Sequence, residues 1–173
     1  VNFAVDVQKG EPVLLDDGKI RLEVLSSDNN KEVVCRVING GILTPRKGLN
    51  LPTTNISLPC ITEKDIVDLD FALEENVDWI GLSFVRSSKD IEQLQTMIKS
   101  RDKHARVVAK IEKPEAVEDI DEIIEVTDAV MIARGDLGVE VPMQNVPLIQ
   151  KDIISKCLSS GKPVIVATQM MES

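Results

Sequence analysis

Near the start of the chain apolar and polar residues alternate with a period of two. Ile20, Leu22 and Val24 are set against Arg21 and Glu23, the pattern of a strand with one buried face. Asp16-Asp17-Gly18 before this run and Ser26-Ser27-Asp28-Asn29-Asn30 after it are turn formers, so the segment predicts a hairpin. A further strand, Glu32 to Ile38, stops at Asn39-Gly40-Gly41. Residues 1–46 are therefore expected to form a small antiparallel β unit.

From Thr62 onward the pattern becomes strand and helix in turn. Thr62-Glu63-Lys64-Asp65 opens a predicted helix with Thr62 as its cap, and Ile66, Leu69, Ala72 and Leu73 recur at helical spacing until Asn76. The strand Asp78 to Val85 follows. Ser87-Ser88-Lys89-Asp90 then opens a helix with Ile91, Leu94, Met97 and Ile98 on one face. The strand Arg106 to Glu112, a helix from Pro114 to Val126 and the strand Asp128 to Ala133 come next. Arg134-Gly135-Asp136 follows that strand, and a helix over Asn145 to Ser159, capped by Gly161, leads to the strand Pro163 to Thr168.

Short, nearly all-apolar strands separated by amphipathic helices imply right-handed βαβ crossovers and a parallel sheet covered by helices. Both a doubly wound sheet and a (β/α)8 barrel fit this alternation. No Gly-x-Gly-x-x-Gly or Gly-x-x-x-x-Gly-Lys-Ser/Thr loop follows any strand, which weakens the nucleotide-fold option. Instead, the strands end in polar residues. Period two puts Lys110 and Glu112 on one face at the end of their strand, the next strand runs into Arg134-Gly135-Asp136, and the last ends in Thr168-Gln169. In a barrel such ends converge on one mouth, where active sites are assembled.

Glu112 and Asp136 offer hard oxygen ligands suited to Mg²⁺, which needs only one or two protein carboxylates. Lys110 adds a cation that would hold an anionic substrate during phosphoryl transfer or enolate formation. Gly135 lets the backbone approach a ligand, and a short helix opened near Asp136 would offer free amides. Taken singly, each residue also has an ordinary reading: Lys110 and Glu112 as a rim ion pair, Thr168 as a helix cap, Arg-Gly-Asp as a chance tripeptide. The combination points to a site.

Composition narrows the classes. Twenty Lys plus Arg against 29 Asp plus Glu give a net charge of −9, and no basic cluster exists to neutralise a phosphate backbone, so nucleic acid is not an expected partner. The apolar runs are strand-sized, short of the roughly 20 residues of a membrane span. Cys35, Cys60 and Cys157 lie far apart, lack metal-ligand spacing and are odd in number, which points to buried thiols in a reducing compartment. His104, the only histidine, lies in a polar stretch and reads as a surface residue. A start at Val1 without Met and an end just after a buried strand read as an excised piece of a longer chain.

Several strings, in order, then carry a resemblance: Lys47-Gly48-Leu49-Asn50-Leu51-Pro52, Asp78-Trp79-Ile80-Gly81-Leu82-Ser83-Phe84-Val85-Arg86, Ala109-Lys110-Ile111-Glu112, Met131 to Glu140, and Gly161 to Ser173. They resemble the motifs of the pyruvate kinase family. The resemblance implies transfer of the phosphoryl group of phosphoenolpyruvate to ADP, a step of glycolysis giving pyruvate and ATP, with Mg²⁺ (or Mn²⁺) and K⁺. It implies part of a (β/α)8 TIM-type barrel over residues 47–173, about four βα units, preceded by part of an inserted small antiparallel β domain over residues 1–46. By motif, Glu112 and Asp136 would hold the Mg²⁺, Lys110 would stabilise the transferring phosphoryl group, and Thr168 would contact the pyruvate or enolate carbon. The amides of Gly135 and Asp136 would bind the substrate carboxylate, Lys47 a nucleotide phosphate, and Ser83 would lie near the substrate phosphate.

The family's K⁺ site would fall outside these residues, and the complete enzyme would be a homotetramer of the cytoplasm, with a plastid as the other option. Two departures stand out. The family continues Lys-Ile-Glu with Asn and then a Glu-Gly pair, where this chain has Lys113-Pro114-Glu115-Ala116, and Thr53 replaces a Gly common after Asn-Leu-Pro. The competing readings are another Mg²⁺-dependent phosphoenolpyruvate or pyruvate barrel, such as an oxo-acid aldolase, and a truncated, non-catalytic assembly module. The β unit ending at Lys47 argues against the aldolase.

Overall fold

Asp16 and Asp17 both take a left-handed backbone, with φ of 51° and 56°, and Gly18 follows at 83°. Acidic and glycine residues tolerate this region, and the three reverse the chain between β1 (Pro12–Leu15) and β2 (Ile20–Ser27). These features belong to a computed structural model that describes residues 3–168. After β2, the Asp28 carboxylate accepts the backbone N–H groups of Asn30, Lys31 and Glu32 at 2.8, 2.8 and 2.9 Å, turning the chain into β3 (Val33–Asn39). The antiparallel sheet is completed by β4 (Leu49–Asn50), in the order β3-β2-β1-β4.

A short helix, α1 (Phe3–Asp6), precedes the sheet and accepts the Ser27 hydroxyl on the Ala4 carbonyl. Val7, Val13, Val24 and Leu51 are the buried core of this unit. The unit extends to Leu58, past the expected end at residue 46. The reason is local pairing: Leu49 and Asn50 lie beside Leu15 and Leu14, and the Thr54 hydroxyl donates to the Glu11 carboxylate at 2.7 Å.

The second unit begins at Pro59. Thr62 caps α2 (Glu63–Glu74): its hydroxyl accepts the Asp65 N–H at 3.3 Å while the Asp65 carboxylate accepts the Thr62 N–H at 2.8 Å. The strands are β5 (Trp79–Leu82), β6 (Arg106–Ile111), β7 (Ala129–Ala133) and β8 (Val164–Ala167), each within its expected segment but shorter. Between them run α3 (Ser88–Ser100), then α4 (Pro114–Glu118) with α5 (Ile120–Val126), then α6 (Arg134–Glu140), a 3₁₀ turn and α7 (Val146–Ser159).

All strand pairings in this sheet are parallel, and the order is β5-β6-β7-β8. Sequence order is retained with no reversal, so right-handed crossovers place every covering helix on the same side. A doubly wound sheet needs a reversal point; this one has the topology of a (β/α)8 barrel segment. Val107, Ala109 and Ile111 of β6 and Val130 and Ile132 of β7 pack in one core with Ile91, Leu94 and Ile98 of α3, Ile123 and Ile124 of α5, and Ile153 and Cys157 of α7. The alternate residues, Val108 and Lys110, face the other way.

The helix expected from Pro114 to Val126 is broken at Asp119, whose backbone leaves the helical basin at φ −94° and ψ 18°. Its carboxylate instead accepts the Ser88 N–H at 2.6 Å, satisfying an amide in the first turn of α3. Replacing Asp119 with Ala should lower stability by about 1 kcal/mol, as for loss of a cap, whereas Glu118→Ala, at an exposed position, should stay within about 0.5 kcal/mol. Urea unfolding followed by circular dichroism separates the two.

Candidate active site

Glu112 follows β6 directly and is only 2% exposed. A carboxylate removed from water needs bonded partners, and both oxygens have one. Oε1 lies 2.7 Å from Lys110 Nζ, and Oε2 accepts the Phe84 N–H at 2.8 Å. Lys110 Nζ also donates to Ser83 Oγ at 2.7 Å. Ser83, Lys110 and Glu112 therefore form one hydrogen-bonded group at the carboxyl ends of β5 and β6.

Phe84 has φ of 54°, a region costly for a bulky side chain, and that turn is what aims its N–H at Glu112. Cys60 is packed beneath, with Sγ 3.6 Å from the Ser83 carbonyl and 3.5 Å from that of Phe84. Burial, reinforced by the negative charge of Asp90, pushes its thiol up to about 12. The sulfur is a packing group here, not a nucleophile.

The second half of the group lies at the ends of β7 and β8. The register sets Lys110 beside Met131 and Ile111 beside Ile132, so the residues that come next, Glu112 and the Arg134-Gly135-Asp136 turn, emerge at the same end of adjacent strands. Those three residues are the first turn of α6, with Asp136 exposed. The Gly135 N–H donates to Thr168 Oγ1 at 3.3 Å, joining the ends of β7 and β8. Thr168 itself is left-handed at φ 63°, a second strained, non-glycine residue at this end.

The two candidate ligands Glu112 and Asp136 are hard oxygen donors. Among the described residues no group of three or more His, Cys, Asp or Glu side chains gathers, but Mg²⁺ asks for only one or two carboxylates and fills its octahedron with water and substrate oxygens. The donor set fits that ion. Lys47 lies in the antiparallel unit, 2.8 Å from Asp16, whose hydrogen bond and then negative charge raise the pKa of the lysine ammonium. His104 is exposed, as expected, and lines a concavity of about 680 Å³ with Asp78, Trp79, Lys103 and Arg106. That hollow is at the amino ends of β5 and β6, away from the strand-end group.

Two contributors escaped sequence reasoning. Phe84 acts through its backbone, which its side chain does not advertise. Lys113 forms a buried ion pair with Glu140 at 2.7 Å; the unusual lysine after Lys-Ile-Glu was its only trace.

A partial (β/α) barrel with a lysine, two carboxylates and a threonine at its strand ends carries these groups on the face where (β/α)8 barrels assemble their active sites. The family model "Pyruvate kinase, barrel domain" matches residues 1–173, and the chain belongs to that family. Pyruvate kinases of Staphylococcus aureus strains MRSA252 and USA300 are each 48% identical over 173 residues, covering 99% of this chain. The chain spans 30% of the length of these relatives. The aldolase and assembly-module readings gain no support from these matches. No helix among the described residues is long and apolar enough to cross a membrane.

The Cys60 thiol gives a pH test of this packing. At pH 8 its thiolate fraction should be about 10⁻⁴, so alkylation by iodoacetamide should run about 10³-fold slower than for a free cysteine, with its ordinary value near 8.5. Because the unfolded thiol ionises first, this group should also lose its contribution to stability as pH rises above about 9. Peptide-resolved mass spectrometry of Cys60 reads the rate directly; modification at a free-thiol rate would contradict the burial.

Proposed function

We propose that this chain supplies the centre of a pyruvate kinase active site, which transfers the phosphoryl group of phosphoenolpyruvate to ADP and yields pyruvate and ATP. One observation carries the reading: the Lys110 ammonium is held between Glu112 and Ser83 at 2.7 Å from each, at the carboxyl end of a barrel strand. A lysine so placed cannot swing freely, and pre-organised charge aimed at a transferring group needs no reorganisation during reaction.

Glu112 and Asp136 would hold the Mg²⁺ (or Mn²⁺). The ion would supply charge neutralisation for substrate oxygens and for the enolate that develops as the phosphoryl group departs. Lys110 Nζ would contact the phosphoryl oxygens, with Ser83 Oγ fixing the ammonium and lying near the same phosphate. The amides of Gly135 and Asp136, in the first turn of α6, would take the substrate carboxylate. Thr168 Oγ1 accepts the Gly135 N–H at 3.3 Å; on this reading the amide would pass to the substrate carboxylate, and the hydroxyl, which can donate as well as accept, would present its proton toward the enolate carbon. Lys47 would contact a nucleotide phosphate once its Asp16 partner is exchanged for the ligand. Bound K⁺, assembly as a homotetramer and a cytoplasmic location complete this reading.

In the full-length enzyme, Glu112→Gln or Asp136→Asn should raise the Mg²⁺ needed for half-maximal rate and lower kcat by on the order of 10²-fold or more, since each removes one formal charge from the ion's shell. An unchanged Mg²⁺ dependence in either variant would take that residue out of the metal site.

Lys110→Met should lower kcat by on the order of 10²-fold or more while changing the KM for phosphoenolpyruvate far less, because the charge it meets is redistributed mainly in the transition state. A change confined to KM would make Lys110 an ordinary binding residue. Thr168→Ala should be milder.

A further inference from the structure

The ion pair between Lys113 and Glu140 lies outside the strand-end group, and its two side chains are only 10% and 1% exposed. Its place in the chain is informative. Lys113 directly follows Glu112, and Glu140 lies one helical turn after Asp136 in α6. β6 ends at Ile111 and β7 at Ala133, so the sheet ladder stops before either candidate ligand. The contact at 2.7 Å therefore ties the two ligand-bearing segments together where the backbone pairing no longer does.

Stability alone does not account for such a pair. Burying two charges offsets most of what their attraction contributes, and apolar replacements of similar volume are often as stable or more so. Specific placement is the better-attested use of a buried pair.

We propose that Lys113 and Glu140 are positioning residues: their buried ion pair sets the separation of the Glu112 and Asp136 carboxylates and so tunes the affinity for a divalent cation. The proposal rests on the metal-site reading above. Their role is to place the ligands rather than to touch the ion: Lys113 holds the β6–α4 turn and Glu140 holds α6, and each acts through the carboxylate on its own segment. Groups bonded directly to a metal ligand change metal affinity by about 10- to 100-fold; this pair is bonded to neither ligand and acts through the adjoining backbone, so an effect of about tenfold, at the low end of that range, is expected.

The test uses the full-length enzyme and Mn²⁺ binding measured by electron paramagnetic resonance, with no turnover required. The double variant Lys113→Met/Glu140→Gln removes both buried charges, so its urea midpoint should stay close to that of the parent. Its Kd for Mn²⁺ should nevertheless rise about tenfold, and Lys113→Arg, which keeps the charge, should restore affinity to within about twofold of the parent in comparison with Lys113→Gln. A double variant with both parental midpoint and parental Kd would reduce the pair to a structural element and overturn the proposal. Should the double variant fail to fold, the Arg and Gln variants decide: equal Kd values for both and the parent overturn it, and a Kd raised in Gln but not in Arg supports it. Glu112→Gln is the reference. If that variant binds Mn²⁺ like the parent, the metal-site reading itself falls; if it loses Mn²⁺ while the double variant does not, only the positioning role falls.

Discussion

The carboxyl ends of the strands depend on the burial of one carboxylate, that of Glu112. Taking a carboxylate out of water costs several kcal/mol unless its oxygens are bonded, and the two partners that compensate it come from separate segments. Lys110 is two residues back on the same strand, and Phe84 lies in the turn after β5. Meeting the second requirement forces Phe84 into a left-handed backbone at φ 54°. The lysine that neutralises Glu112 is also anchored to Ser83. One buried charge thus fixes the geometry of a cation, a hydroxyl and a strained turn.

Strand order makes that geometry usable. Because β5, β6, β7 and β8 follow one another without reversal, their helices lie on one side and their carboxyl ends face the same way. The aliphatic core of Val107, Ile111, Ile132, Ile123 and Ile153 holds the sheet to the helices from behind. Gly135 and Thr168 close the row by a bond between the ends of β7 and β8. The left-handed backbones of Phe84 and Thr168 occur at this end, where strain is held by the surrounding rigid strands.

Local rules made much of this legible in the sequence. Thr62 with Asp65 marks the start of α2, Gly161 marks the end of α7, and period two alone puts Lys110 and Glu112 on one face. Features that depend on residues distant in sequence were not legible. The break at Asp119 exists because its carboxylate is taken by an amide 31 positions away. The two-residue strand Leu49–Asn50 has no periodicity of its own and is defined only by pairing with β1. The choice between barrel and doubly wound sheet lies in strand order, which apolar spacing does not encode. Lys113 and Glu140 are 27 positions apart, and each looks like an ordinary surface charge until the fold buries both.

The central claim is that Glu112 and Asp136, brought to neighbouring strand ends, hold a divalent cation beside Lys110. Crystals of the full-length enzyme grown with Mn²⁺ in place of Mg²⁺ would test it most directly, through the anomalous signal of the metal. The account predicts a peak about 2.1 Å from carboxylate oxygens of both Glu112 and Asp136, the bond length of a hard cation in an octahedral oxygen shell. A fully occupied peak that touches neither residue would contradict it.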